Sequence, residues 1–273
     1  MSTPLPPLHP PAAAMILAAG RGERMRPLTD HTPKPLLAVQ GKPLMQWHLE
    51  ALQAAGIASA VINTGWLGQQ VAERWGAGFG TDFGAAHPDH PALALHYSRE
   101  ERDFGGGIET AGGIARALPL LDDSFWLVAG DVFVPQWRFD EALRRRFAAG
   151  EALAHLWLVP NPPHHPRGDF VLGADGLARP AHGASSHEEA ARTSPPSLTY
   201  STIALLRKAL FQPPWCSIPA GNPAGVAAPL GPLLFKAAAA GRVSASLYTG
   251  DWTDVGTPER LQSLDLQTPS HGR

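Results

Sequence analysis

Four cations, Arg21, Arg24, Arg26 and Lys34, follow the apolar run Met15-Ile-Leu-Ala-Ala19, and only Glu23 and Asp30 oppose them. Gly20 and Gly22 break the segment, so the backbone there can approach a ligand and turn its N–H groups inward. A cationic, N–H-rich loop at the end of a strand is suited to holding phosphates. It is neither of two common phosphate loops. Gly-x-Gly-x-x-Gly and Gly-x-x-x-x-Gly-Lys both fail at Met25, which also argues against a dinucleotide-dependent oxidoreductase. Pro33 and Pro35 stiffen the backbone on either side of Lys34, and an ammonium so held near phosphates can offset charge that builds in a transition state.

Acids with a matching role lie far along the chain. Asp131 follows Phe125-Trp-Leu-Val-Ala-Gly130, at the carboxyl end of an apolar strand. A carboxylate in that place needs a cation or a donor, and magnesium bound to a triphosphate is such a cation. Asp254, in Trp252-Thr-Asp-Val-Gly-Thr-Pro-Glu259, supplies a second acid. Thr257 reads as a helix N-cap and Pro258 as the first helical residue, so Asp254 stands just outside a helix start. Asp251 reads as a turn residue. A further glycine cluster, Gly105-Gly-Gly-Ile-Glu-Thr-Ala-Gly-Gly113, can bring main-chain groups against a base edge. The spacing of the twelve histidines, His164 and His165 included, matches no zinc motif.

The elements that must position these groups alternate. Helical spacing is predicted over 43–55, 67–75, 112–120 and 139–149, and apolar strands over 60–63, 93–97, 125–129 and 153–159. Continuous apolar strands between helices predict a parallel sheet covered on both faces, with the ligand beyond the strands' carboxyl ends. The opening loop, Asn63-Thr64-Gly65 and Gly130-Asp131 all fall there. After residue 160 the pattern changes: strands over 169–172, 198–206 and 243–248, a helix over 232–240, a loop over 181–196 and an irregular stretch over 213–232.

The 273 residues carry a net charge of −2, which provides no global field for nucleic acid or an anionic membrane. Cys216 is the only cysteine, so no internal disulfide forms. The Pro/Ala-rich start lacks a basic segment and does not read as a signal peptide, and no run approaches the roughly 18 apolar residues of a membrane span. The expectation is a cytoplasmic protein, monomer or small homo-oligomer, with a disordered extension over 1–13 and a single domain over 14–268. Residues 14–160 form its nucleotide half and 161–268 its sugar half.

The glycine-arginine loop with its proline-flanked lysine, and the Trp-x-Asp-Val-Gly-Thr-Pro-Glu run, resemble the signatures of the sugar-1-phosphate nucleotidyltransferases. Asn63-Thr-Gly-Trp-Leu-Gly-Gln-Gln70, Asn161-Pro-x-His-His-x-Arg-Gly-Asp-Phe170 and the compact length are most similar to the N-acetylmuramate 1-phosphate uridylyltransferases. The resemblance implies a Rossmann-like three-layer α/β sandwich of the GT-A-like type with a mostly parallel central sheet. It implies UTP and a sugar 1-phosphate as substrates and Mg²⁺ as cofactor, on Asp131 and Asp254. Arg24, Lys34 and Asp131 would be catalytic, with Arg24 on the leaving pyrophosphate. Leu17, Ala18, Ala19, Gly20, Gly22, Thr110 and Gly112 would hold the nucleotide, and Asn63, Asp169 and Asn222 the sugar. Thr202 replaces a glycine frequent in the family. The same chemistry on mannose 1-phosphate with GTP, or on glucose 1-phosphate with dTTP or UTP, is the near alternative. A non-catalytic nucleotide-sugar sensor is the distant one.

Overall fold

The structure, a computed structural model, describes residues 11–80, 92–182 and 196–266. Most of the extension expected over 1–13 and of the loop expected over 181–196 lies outside the described residues. In chain order the elements are β1 (Ala12–Ala18), β2 (Ala38–Val39), β3 (Lys42–Pro43), α1 (Leu44–Ala54), β4 (Ser59–Thr64), α2 (Gly68–Trp75), β5 (Gly78–Phe79), β6 (Leu93–Arg99), α3 (Glu100–Phe104) and α4 (Glu109–Ala117). Then follow β7 (Leu121–Ala129), β8 (Val132–Phe133), α5 (Glu141–Ala149), β9 (Ala154–Val159), β10 (Phe170–Leu172), β11 (Ala178–Pro180), β12 (Ser197–Arg207), α6 (Gly231–Ala239), β13 (Val243–Leu247), β14 (Thr253–Asp254) and α7 (Pro258–Leu266).

One ten-stranded sheet runs β11-β10-β12-β7-β1-β4-β6-β5, with β9 joined to β12 and β13 to β9. Its centre, β7-β1-β4-β6, is parallel as expected, and β12 enters antiparallel beside β7. The strands of both halves of the chain therefore share one sheet. Side chains alternate across it. Met15 and Val61 face α4 and α6 through Ala111, Ile114, Leu234 and Ala237, whereas Ile16 and Ile62 face α1, α2 and α5 through Leu49, Val71 and Phe147. This makes the three layers. On the second face Trp126, Trp137, Phe139 and Trp157 pack with ring centroids 5.0–6.2 Å apart, mostly edge to face. Among the described residues no helix is long and apolar enough to cross a membrane.

Two expectations need correction. The first strand begins at Ala12, where Ala12 pairs with Leu121, rather than at residue 14. A run of alanines resembles a linker by composition, yet Ala12 and Ala14 are fully buried. The helix predicted from Gly112 begins at Glu109, and the short α3 lies in a stretch whose acids gave no periodic signal.

Asp140 caps α5 by accepting from Ala142 N (2.8 Å) and Leu143 N (3.1 Å). Asp140→Ala is expected to cost about 1 kcal/mol, read from the urea midpoint. His155 sits between the Ser244 and Ser246 hydroxyls at 2.9 and 3.1 Å, and burial pushes its pKa down to about 4. Because folding favours the neutral ring, this contribution is complete above pH 6.5 and is lost as the pH falls toward 4. His155→Gln should lessen the fall in unfolding free energy across that window by about 1.4 kcal/mol per pH unit; an unchanged slope would contradict the assignment.

Candidate active site

The loop after β1 folds into three short 3-10 turns, Glu23–Met25, Leu28–Asp30 and Lys34–Leu36. Gly22 heads the first, receiving Met25 N (2.9 Å) and the Thr29 hydroxyl (2.8 Å) on its carbonyl. The segment after β4 clamps this loop from outside: Trp66 Nε1 donates to the Thr29 carbonyl at 2.8 Å and Gln70 Nε2 to the His31 carbonyl at 3.0 Å. The clamp depends on Gly65, where a Cβ would stand 2.2 Å from the Ala19 carbonyl oxygen.

Lys34 is only 8% exposed, and its Nζ forms an ion pair with Asp131 Oδ2. Asp131 follows Gly130, whose N–H donates to the Leu17 carbonyl at 2.8 Å, so the ends of β1 and β7 meet beneath the acid. Asp254 arrives through backbone pairing. β14 lies antiparallel to β8 with Asp254 opposite Val132, and Val255 N donates to the Asp131 carbonyl at 2.9 Å. Beneath them His48 Nε2 donates to the Val132 carbonyl at 2.9 Å. Burial lowers that histidine's pKa to about 4, against the opposing pull of this bond and of the Asp131 charge.

A cleft of about 1180 Å³ opens over the carboxyl ends of the parallel strands. Leu17, Ala18, Ala19, Gly20, Lys34, Asn63, Thr110 and Asp131 line it, as the sequence led us to expect. Other expected residues lie elsewhere. Gly112 packs inside α4, where a Cβ would meet the Val226 carbonyl at 2.4 Å; Gly105, Gly106 and Gly107 line the cleft instead. Asn222 is fully buried, and its carboxamide is used by the Gly112 carbonyl (3.1 Å), the Val226 carbonyl (3.0 Å) and Val226 N (2.9 Å). It braces a turn against α4 and does not reach the cleft. Asp169 borders a second, smaller cavity and accepts from Tyr200 N at 2.8 Å. Gly22 is not among the lining residues.

The three loop arginines separate. Arg26 pairs with Asp30 at 2.6 Å. Arg21 lines the cleft with its guanidinium 4.4 Å from the Trp66 ring centroid. Arg24 is exposed and lies toward Gly256, near Asp254. Asp251 accepts from Gln136 at 2.8 Å, consistent with its reading as a turn residue.

Sequence reasoning missed Glu100, which is fully buried. Its carboxylate accepts from Asn63 Nδ2 (2.8 Å) and Ile108 N (2.9 Å), while Asn63 Oδ1 accepts from Ala18 N (2.9 Å). Burial raises the Glu100 pKa, opposed by those two donors and by the Arg116 charge. The chain Ala18–Asn63–Glu100–Ile108 fixes the cleft floor and occupies both ends of the Asn63 carboxamide. The available signal was a Glu pair directly after a strand. Tyr200, also missed, lines the cleft, and burial raises its phenol pKa.

Asp254 is paired too, with Arg260 and with His164 Nε2, each through a different oxygen. His164 Nε2 is also 2.9 Å from Arg260 Nη1. One nitrogen cannot accept from the guanidinium and donate to the carboxylate at once, so when it accepts, Asp254 Oδ1 is a buried oxygen without a donor. Among the described residues no cluster of three acidic, histidine or cysteine ligands exists. Two carboxylates are nevertheless enough for a magnesium ion that completes its shell with phosphate and water, and the orphaned oxygen fits a cation.

The sheet order, the glycine-broken cationic loop and the two acids beyond the strand ends define an α/β protein built to hold a nucleotide's phosphates. The chain belongs to the nucleotidyl transferase family, whose sequence pattern matches residues 13–171. It is 43% identical over 250 residues to the N-acetylmuramate alpha-1-phosphate uridylyltransferase of Neisseria meningitidis serogroup B, covering 91% of this chain and 95% of that protein. With the enzyme of the same name from Caulobacter vibrioides it shares 31% over 266 residues, covering 91% and 93%. A crystal structure of a UDP-glucose pyrophosphorylase complexed with UDP-glucose has the same fold, with a TM-score of 0.65, 15% identity and coverage of 93% of this chain and 97% of that one.

Glu109 lines the cleft in the left-handed region, at φ 62°. Such a backbone costs a residue with a Cβ roughly 1–2 kcal/mol. Glu109→Gly should therefore raise the unfolding free energy by about 1 kcal/mol, checked by the urea midpoint. A drop would show that the carboxylate makes a contact worth more than the strain.

Proposed function

We propose that the protein joins UTP and N-acetylmuramate 1-phosphate to give UDP-N-acetylmuramate and pyrophosphate, a cytoplasmic step of peptidoglycan recycling. The observation that carries the chemistry is the β8–β14 register. It sets Asp254 beside Val132, and so next to Asp131, which lines the cleft and pairs with Lys34 of the loop. The pairing with UTP and this sugar rests on the two uridylyltransferase relatives.

The nucleophile is an oxygen of the sugar's own phosphate, already anionic at neutral pH. It attacks the α-phosphorus, a new P–O bond forms, and the α–β P–O bond breaks to release pyrophosphate. No general base is needed, so alignment and charge stabilisation supply the rate. Asp131 and Asp254 would hold Mg²⁺, which when bound neutralises charge on the phosphates. Lys34, held nearly buried, presents a fixed ammonium to the α-phosphate. Arg21 and Arg24, on the two sides of the loop, are placed to take the pyrophosphate. The Gly105–Gly107 backbone with Thr110 forms the base end, and Asn63 with Glu100 keeps that floor rigid.

Purified protein with Mg²⁺, UTP and N-acetylmuramate 1-phosphate should release pyrophosphate. Lys34→Ala and Asp131→Asn should each lower kcat about 100- to 1000-fold, and chelation should abolish turnover. Release no faster than in the Lys34→Ala, Asp131→Ala double variant would refute enzymatic activity. Faster turnover of GTP with mannose 1-phosphate, or of dTTP with glucose 1-phosphate, would reassign the substrates.

A further inference from the structure

A second cavity, of about 440 Å³, lies beside Asp254 and is lined by His164, His165, Arg167, Asp169, His182 and Phe235 among others. It adjoins the reaction centre at two points. His164 lies 2.9 Å from Asp254, and Asp169 accepts from the backbone of Tyr200, a residue of the main cleft. Its charge balance is one-sided. The single acid among the described lining residues, Asp169, is already engaged by His165 at 3.1 Å and by Tyr200 N. Arg167 is exposed and its guanidinium makes no hydrogen bond or ion pair among the described residues. Phe235 adds an apolar wall that is 38% exposed.

The loop that presents these groups is firmly built. Asn161 donates to the Pro166 and Ser197 carbonyls, both at 3.1 Å, and accepts from the Thr199 hydroxyl at 2.9 Å. An uncommitted guanidinium with imidazoles around it and an aromatic wall below is a receptor for a carboxylate on a short aliphatic arm.

We propose that this cavity binds the carboxylate of an acidic sugar phosphate, with Arg167 as the main cation and Phe235 against the carbon arm that carries it. The inference rests on the acidic-sugar reading of the function. It assigns the choice of sugar to a pocket separate from the phosphate loop and from the base end of the cleft.

A cycle of substrate and protein changes tests it. N-acetylglucosamine 1-phosphate is N-acetylmuramate 1-phosphate without the lactyl acid. Its KM, or its Ki as a competitor where it does not turn over, gives a value in either case. The wild-type protein should favour the acidic sugar about tenfold, and in Arg167→Met that preference should vanish through a rise in KM for the acidic sugar alone. Arg167→Lys should restore part of it. An undiminished preference in Arg167→Met, or equal losses on both sugars, overturns the proposal. A wild-type protein that releases no pyrophosphate with either sugar instead refutes the function itself, so the two failures are distinguishable.

Discussion

Two strands of two residues each, Val132–Phe133 and Thr253–Asp254, carry the burden of bringing together acids that lie more than a hundred positions apart in the chain. So short a ladder is not stable alone. It is held by a small apolar cluster of Met25, Leu37, Val39, Leu44, Phe133, Val255 and Leu264, with the Trp47 and Phe133 rings edge to face at 5.2 Å. The same cluster anchors the phosphate loop through Met25 and Leu37. Packing that owes nothing to charge therefore fixes the relative positions of the loop, Asp131 and Asp254. A cavity there would loosen all three together, although none of its residues lines the cleft.

Charge within this frame is balanced locally. Lys34 faces Asp131, and Arg260 with His164 faces Asp254. An ammonium as buried as that of Lys34 would be costly without its partner. The pairs keep that cost down, and they impose a condition on binding. A cation that takes Asp131 or Asp254 leaves Lys34 or Arg260 in need of another anion. For Lys34 a phosphate oxygen would be such an anion. At Asp131, a metal and a phosphate bound together would exchange one ion pair for another, whereas a metal alone would leave Lys34 without a partner.

How much of this was legible follows from the range of each interaction. The strand ends, the loop cations and both acids were readable because their signals are local: apolar runs ending in glycine, prolines around a lysine, a Thr-Pro helix start. The β12 junction and the β8–β14 pairing were not, since register between distant segments leaves no mark within either one. Asn222 shows the opposite error. An asparagine in a Gly/Pro-rich stretch resembles a ligand contact, but its three hydrogen bonds go to backbone groups of its own turn and of α4. Gly112 was right in type and wrong in role, because a glycine needed for helix packing and one needed beside a base look identical in sequence. The histidines after Pro163 matched no metal spacing, and each lies within 3.1 Å of a carboxylate, Asp254 or Asp169.

Backbone strain shows where the cleft shape is imposed on the chain. Among the described residues, five other than glycine have positive φ: Gln40, Leu67, Glu109, Thr202 and Asn222. Asn222 is compensated by its own carboxamide, and Gln40 N donates to Asp265 Oδ1 at 2.6 Å. The remaining three, Leu67, Glu109 and Thr202, all line the main cleft and come from three separate segments of the chain. Leu67 accepts from Gln70 N at 3.0 Å, and the Thr202 hydroxyl donates to the Ser201 carbonyl at 2.6 Å. Strain of this kind persists when surrounding structure over-determines it. Here the determinants are the clamp through Trp66, the floor through Glu100, and the irregular register between Tyr200 and Ala204 in β12. The cleft is thus held open in one shape by interactions behind its walls, which is what a reaction governed by alignment requires.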